Sequence, residues 1–271
     1  MQQIVKAKGF NIPIVGLGTW SLRGRECARL VEQAIRIGYR HIDTAQMYDN
    51  EREVGEGVRA SGMRAEVMVT TKVQPTLLAP PDLERSVKES LANLRLDTID
   101  LLLIHWPNPR VPLAETLGAM EKMKHDGYVR AIGVSNFTVV LLDEADTISK
   151  DLVCNQIECH PYLDQSKVIA ACKRRGMAVV AYSPIARGGA KGDAVLTRIG
   201  EAHGKSAAQV SLRFLVQQGI VVIPRTSRIE RLEENFDLFD FELSDGEMKE
   251  IAGLARRGGR IVDWTWSPKW D

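Results

Sequence analysis

A chain of 271 residues with 44% apolar and 26% charged side chains can form one large α/β domain or two modest ones. Its 36 basic and 35 acidic residues leave a net charge of +1, which offers no electrostatic footprint for nucleic acid or for an anionic membrane. No apolar run reaches the roughly eighteen residues of a membrane helix, and the N-terminus has no signal-peptide core, so a cytoplasmic protein is expected. Cys27, Cys154, Cys159 and Cys172 form no C-x-x-C pair. Cys159-His160 near Cys154 fits no zinc spacing, so the thiols read as structural and no metal is expected.

In chain order, residues 4–14 predict a β-hairpin turning near Lys8-Gly9, with Pro13 confining its second strand to an edge. Val15-Gly16-Leu17-Gly18-Thr19-Trp20 reads as a strand running into a loop. A helix follows, with Ala28, Val31, Ala34 and Ile35 at helical spacing and a stop at Gly38. His41-Ile42 ends a short buried strand, and Asp49-Asn50 reads as the N-terminus of a helix over 51–58. Asp43 therefore sits where a strand stops, with Tyr48 in the loop beyond it. Residues 67–72 form a β-branched strand ending before Pro75, and the helix over 80–94 opens on Pro80-Pro81-Asp82.

The strand over 99–105 is almost wholly apolar and halts at Trp106-Pro107. Then come a helix over 113–124, a stop at Gly127 and a strand over 129–136. A helix over 139–148, a strand over 152–159, a helix over 165–175 and a strand over 177–184 continue the alternation. Helices over 194–203 and 206–217 precede an eighth strand over 220–226, and two more helices cover 229–235 and 244–256. The tail over 263–271 is aromatic and irregular.

Eight β-branched runs alternating with helices at roughly thirty-residue spacing predict a (β/α)8 barrel, here with an N-terminal hairpin and extra C-terminal helices. No linker interrupts the pattern, so residues 1–271 read as one domain. The competing doubly wound sheet would carry G-x-G-x-x-G. Gly16-Leu17-Gly18 is followed by Thr19-Trp20-Ser21, without the third glycine, and reads as a turn.

Polar residues recur where the runs stop: Asp43, Lys72, His105, Ser135-Asn136, Gln156, Glu158, Tyr182-Ser183 and Arg225-Thr226. A charge at the end of an apolar strand must pair or face a cleft. Asp43 and Lys72 can neutralise each other, and a cation beside the Tyr48 phenol lowers its pKa. Such a tyrosine can give its proton to a carbonyl oxygen while a hydride reaches the carbon, with His105 orienting the carbonyl. Each residue alone also has a plain structural reading: a buried ion pair, a loop tyrosine, a core histidine, rim-packing tryptophans. His41 is read as structural. Lys72 could instead be a Schiff-base nucleophile in a lyase.

Asp43-Thr44-Ala45-x-x-Tyr48, Thr71-Lys72, Leu103-Ile104-His105-Trp106-Pro107, Gly133-Val134-Ser135-Asn136-Phe137, Asn155-Gln156, Tyr182-Ser183-Pro184 and Ile223-Pro224-Arg225-Thr226 resemble, in order, the aldo-keto reductase signature. The resemblance spans residues 16–241. It implies an NADPH-dependent carbonyl reductase in which Tyr48 is the general acid, Lys72 and Asp43 tune it, and His105 positions the carbonyl. Ser135, Asn136 and Gln156 would hold the nicotinamide carboxamide under Tyr182.

Arg225, Thr226, Ser227 and Arg231 would clamp the 2′-phosphate, with Glu234 and Asn235 near the adenine. Thr19, Trp20, Asp43, Ser183, Ile185 and Arg187 would complete the cofactor site. Many relatives carry lysine in place of Arg225, which keeps the charge. Trp20, Met47, Tyr48, His105 and Trp106, with Trp264 or Trp266, would line the substrate pocket. The short ending resembles bacterial 2,5-diketo-gluconate reductases and implies small dicarbonyls, keto-sugar acids, methylglyoxal or β-keto esters as substrates. A monomer is expected. The remaining alternative is an NADPH-binding sensor without turnover.

Overall fold

The computed structural model describes residues 3–271. β1 (Ile4–Ala7) and β2 (Phe10–Pro13) form the antiparallel hairpin. Lys8 and Gly9 at its turn both have positive φ, 48° and 82°, the backbone twist that suits a two-residue hairpin. Eight parallel strands follow, each beside its sequence neighbour: β3 (Leu17–Gly18), β4 (His41–Asp43), β5 (Met68–Val73), β6 (Ile99–Ile104), β7 (Val129–Ser135), β8 (Leu152–Glu158), β9 (Ala178–Tyr182) and β10 (Val221–Val222).

The ring closes between its first and last strands. Gly16 N donates to Val222 O at 2.8 Å, Gly18 N to Pro224 O at 3.1 Å, and Val222 N to Ile14 O at 2.9 Å. Position 18 has to be glycine, because a Cβ there would lie 2.7 Å from Ile223 O. The first and last strands are shorter than the sequence pattern suggests. Pro224 has no N–H to extend the ladder, and the closing bonds near Gly16 and Gly18 fall partly outside it.

The outer layer comprises α1 (Gly24–Ile37), α2 (Glu51–Ala60), α3 (Pro80–Leu94), α4 (Leu113–His125), α5 (Val139–Ile148), α6 (Ser166–Arg174), α7 (Ala194–His203), α8 (Ala207–Val216), α9 (Ile229–Phe236) and α10 (Asp245–Ala252). Gly253 stops the last of these short of the expected residue 256. α9 seals the ring against α1: Tyr39 Oη donates to Leu232 O at 2.9 Å. Among the described residues no helix is long and apolar enough to cross a membrane.

Strand alternation sorts the core. Ile42, Val69, Leu102, Ile132 and Val134 face the helices, while Met68, Leu101, Leu103, Ala131, Val153 and Val180 fill the barrel. Ala7 and Ile12 of the hairpin join this inner cluster and plug the end where the strands begin. Higher up the same inward rows turn polar: Met68, Thr70 and Lys72 on β5, His41 and Asp43 on β4. Burial pushes all four thiols up, Cys172 to about 11 and Cys27 and Cys159 to about 12, so they pack as apolar groups.

His41 is fully buried in the layer below Asp43, its Nε2 3.1 Å from Thr70 Oγ1. Burial pushes its pKa down to about 4 from an ordinary 6.5. Between those values the unfolded chain takes up a proton that the folded chain refuses, so stability is present above pH 6.5 and is lost as pH falls toward 4. Urea titrations should show a decline of order 3 kcal/mol over that window. A smaller decline is expected in His41→Gln, and an unchanged one would assign the loss to other groups.

Candidate active site

Asp43 is the last residue of β4, and Lys72 lies next to last on the adjacent β5. Both point into the barrel, where Lys72 is 0% and Asp43 1% exposed. An ammonium so deep is tolerable only if its donors are met. Lys72 Nζ donates to Asp43 Oδ1 at 2.5 Å, to Thr44 O at 2.8 Å and to Tyr48 Oη at 3.4 Å. Asp43 Oδ2 accepts from Gln156 Nε2 across the barrel at 2.7 Å. Burial pulls the Lys72 pKa down, but Asp43 and Tyr48 outweigh it and the net shift is upward. The amine stays charged.

Tyr48 is delivered by a one-turn 3-10 segment (Gln46–Tyr48). Asn50 occupies the N-cap position of α2, as expected, but its side chain does not cap the helix. Its Nδ2 instead donates to Thr19 O (2.8 Å) and Leu22 O (3.1 Å), and its Oδ1 accepts from Thr44 Oγ1 (2.7 Å). The loops after β3 and β4 are thereby tied together around the tyrosine. The sequence argument for a lowered Tyr48 pKa captures one contribution only. Burial raises the phenol above its ordinary value and Lys72 offsets part of that rise, so the net shift is upward.

His105 follows β6, with its ring edge-on to that of Tyr48, centroids 5.5 Å apart. Burial first, then the Lys72 charge, holds its pKa well below 6.5, so the imidazole is neutral. Its carbonyl accepts from Asn136 Nδ2 at 2.9 Å. Asn136 has φ +63°, a left-handed geometry that asparagine tolerates. Tyr182 Oη donates to its Oδ1 at 2.8 Å, and Ser135 Oγ donates to Gln156 O at 2.8 Å. Ser135, Asn136, Gln156 and Tyr182 are thus one network joined to Asp43 through Gln156.

The remaining cofactor candidates form two groups. Thr19 Oγ1 donates to Asp43 O at 3.0 Å, the Arg187 guanidinium lies 4.9 Å from the Trp20 ring centre, and Arg225 Nε donates to Trp20 O at 3.2 Å. Ser183, Ile185 and Arg187 share the loop after β9, where Ser183 and Arg187 have positive φ. Arg225, Thr226 and Ser227 lead into α9, which carries Arg231, Glu234 and Asn235. Among the described residues, Arg225, Arg231 and Arg228 (a residue the sequence reading passed over) make no ion pair with an acid, which leaves three guanidiniums for an anion. Glu234 accepts from Ser206 Oγ, and Asn235 is buried.

Trp20 and Met47 are half exposed beside the site. Trp106 is only 4% exposed because the tail covers it: Trp266 lies edge-on at 5.1 Å and Trp270 at 6.1 Å. The tail tryptophans thus pack on the rim at Trp106. What holds this tail was not visible in the sequence. Glu158 is fully buried at the end of β8, and its two oxygens accept from Ile261 N (2.6 Å) and Val262 N (2.8 Å). His160 Nε2 lies 2.9 Å from Oε1. Gly259 allows the close approach, since a Cβ there would meet Tyr162 O.

A parallel eightfold barrel with this polar cluster at its strand ends defines a class of carbonyl-acting oxidoreductase. Residues 14–256 match the model of the Aldo/keto reductase family, and the chain belongs to that family. It is 43% identical over 250 residues to glyoxal reductase of Bacillus subtilis (strain 168), covering 91% of this chain and 90% of that one. It is 39% identical over 265 residues to methylglyoxal reductase DkgB of Escherichia coli O157:H7, covering 96% and 99%. A crystal structure of a protein proposed to be a 2,5-diketo-D-gluconic acid reductase B superposes with TM-score 0.98 at 46% identity, covering 100% of this chain and 98% of that one.

The tail clamp is testable. Glu158→Gln keeps one acceptor and turns an N–H donor toward a backbone N–H, at a cost of about 1–3 kcal/mol. Amide exchange at Ile261 and Val262 should accelerate by the corresponding factor. Unchanged exchange there would mean that other contacts hold the tail.

Proposed function

We propose that this protein reduces small aldehydes and ketones to alcohols with NADPH, Tyr48 being the general acid. The observation that carries the reading is the Lys72 ammonium bonded at once to Asp43 and Tyr48, with neutral His105 against the same phenol ring. In this reading NADPH supplies the hydride. Residues 1–271 act as one barrel domain whose own groups bind, orient and protonate.

The upward pKa shift keeps the Tyr48 phenol protonated at neutral pH, as an acid requires. When it gives up that proton, the phenolate is left beside the Lys72 ammonium, and Asp43 keeps the lysine charged and aimed. His105, neutral, can donate a hydrogen bond to the carbonyl oxygen without competing for the proton. A Schiff-base role for Lys72 conflicts with its raised pKa, because the nucleophile in that chemistry is the free amine.

The donor set suits the cofactor. Ser135, Asn136 and Gln156 offer amide and hydroxyl groups for the carboxamide, and Tyr182 offers a flat ring for the nicotinamide. Arg225, Thr226, Ser227 and Arg231 match a phosphate dianion, while Thr19, Trp20, Ser183, Ile185 and Arg187 line the groove between. Glu234 and Asn235 fall to the adenine end. The names of the relatives, glyoxal, methylglyoxal and diketogluconate reductases, support small dicarbonyls and keto-sugar acids as substrates, bounded by Trp20, Met47 and Trp106.

Tyr48→Phe should lower kcat by about 10²–10⁴-fold with NADPH affinity little changed. NADPH oxidation at 340 nm with methylglyoxal and fluorescence titration of the cofactor read the two effects, and full turnover in the variant would remove Tyr48 from the mechanism. Arg231→Ala should weaken NADPH at least tenfold more than NADH, by loss of one charged contact to the 2′-phosphate. Equal weakening of both would put Arg231 elsewhere.

A further inference from the structure

Two residues beside Tyr48 turn away from the cleft and toward α3. Gln46 opens the 3-10 segment that ends at Tyr48, and Glu51 opens α2. Gln46 Nε2 donates to Ser86 O at 3.2 Å and to Ser90 Oγ at 3.1 Å on α3. Its Oε1 accepts from Gln74 N at 3.0 Å, just past the end of β5. Both amide protons and the amide oxygen are matched, which fixes the orientation of the side chain.

Glu51 lies deeper, 6% exposed, and accepts from Thr71 Oγ1 at 2.6 Å. Thr71 is the polar break in the helix-facing row of β5, between Val69 and Val73 of the outer core. Ser90 and Asn93 of α3 also hydrogen-bond the Glu51 carboxyl. Among the described residues no cation pairs with it, and burial pushes its pKa above the ordinary value. A buried acid without a counter-charge is costly. Docking α2 and α3 on the sheet would be served better by one more apolar side chain among Val54, Val58, Leu83 and Val87.

The contacts close into a frame. Residues 46 and 51 flank Tyr48 in its loop, residues 71 and 74 flank Lys72, and Ser90 joins Gln46 to Glu51. Thr71 and Lys72 point to opposite faces of β5, so the frame stands outside the barrel, behind the chemistry. Asp43 and Thr44 need no such support. The ladder holds them against β5, with Thr44 N donating to Thr70 O at 2.8 Å. Tyr48 lies beyond the ladder, and its 3.4 Å contact is the longest of the three that Lys72 makes.

We infer that Gln46 and Glu51 are positioning residues for proton transfer: through Ser90, Thr71 and Gln74 they hold the Tyr48 hydroxyl against the Lys72 ammonium. The inference rests on the reductase reading above and deepens it. Both residues act through Tyr48, so losing either slows the proton step and leaves substrate and cofactor binding alone.

The test is methylglyoxal reduction by Glu51→Ala, Glu51→Gln, Gln46→Ala and Val58→Ala. KM, NADPH affinity, urea midpoint and the solvent deuterium isotope effect on kcat are measured for each. Val58 packs α2 on the barrel outside the frame and is the control for a loosened helix. In Glu51→Ala and Gln46→Ala, kcat should fall about 10- to 100-fold while KM and NADPH affinity stay within about twofold. Their isotope effect should exceed that of the wild type, because proton transfer has become the slower step. Glu51→Gln should recover part of kcat through the oxygen it keeps. Val58→Ala should lower the urea midpoint at wild-type kcat and isotope effect. Gln46 is only half-buried, so its variant carries the test if Glu51→Ala does not fold. Wild-type kcat in the folded frame variants would overturn the inference, and so would a loss of kcat with an unchanged isotope effect. A wild type that reduces methylglyoxal and loses that activity in Tyr48→Phe keeps the parent reading in either case. A wild type that reduces no carbonyl would overturn both.

Discussion

The ammonium of Lys72, 0% exposed inside the barrel, is the constraint from which the rest of the site follows. A lone charge at that depth would lose its proton or unfold its surroundings. It persists because Asp43 neutralises it, Thr44 O and Tyr48 Oη fill its other donor directions, and Gln156 fixes the far oxygen of Asp43. Asp43, Thr44 and Tyr48 come from the end of β4 and the loop after it, and Gln156 from β8 across the barrel. The parallel barrel supplies those ends in one ring, with adjacent strands in a register that sets Asp43 beside Thr70, two residues below Lys72 on the same inward row.

The same geometry explains why chemistry and stability divide along the strands. The hairpin plug and the inward rows of Met68, Leu101, Leu103 and Val180 make the lower barrel dry and well packed. That rigid floor holds the polar upper row. Above it, loops tied by Asn50, by the Asn136–Tyr182 network and by the Glu158 clamp bring in groups that the strands cannot reach. A buried carboxylate a hundred residues earlier in the chain thereby sets where the tail tryptophans lie.

Much of this was legible in the sequence because strand ends announce themselves. An apolar run that stops at an aspartate, a lysine or a histidine is costly unless the residue is paired or faces a cleft; Asp43 and Lys72 pair with each other, and His105 packs edge-on against Tyr48. Signs of pKa shifts were less legible. The Lys72 effect on Tyr48 follows from adjacency, but the opposing burial depends on residues from several segments, and it prevails. Asn50 sits where a cap is expected, yet its side chain serves a loop 31 residues away, which no local rule conveys. Glu158 and the backbone of Ile261 and Val262 were illegible as a unit, since the carboxylate lies on β8 and the groups it holds lie in an irregular tail. Gly259, whose Cβ would collide with Tyr162 O, was the only local trace of that docking.

The central claim is that the Asp43–Lys72 pair is retained for the proton donor and not for the fold. A double-mutant cycle measures it directly, with urea stability and carbonyl turnover read for Asp43→Asn, Lys72→Met and the combined variant. Each single change leaves an unpaired buried group and should cost about 3–5 kcal/mol, whereas the neutral double variant should recover most of that stability while remaining without turnover. A double variant that stays as unstable as the singles, or one that still reduces carbonyls at the wild-type rate, would contradict the account.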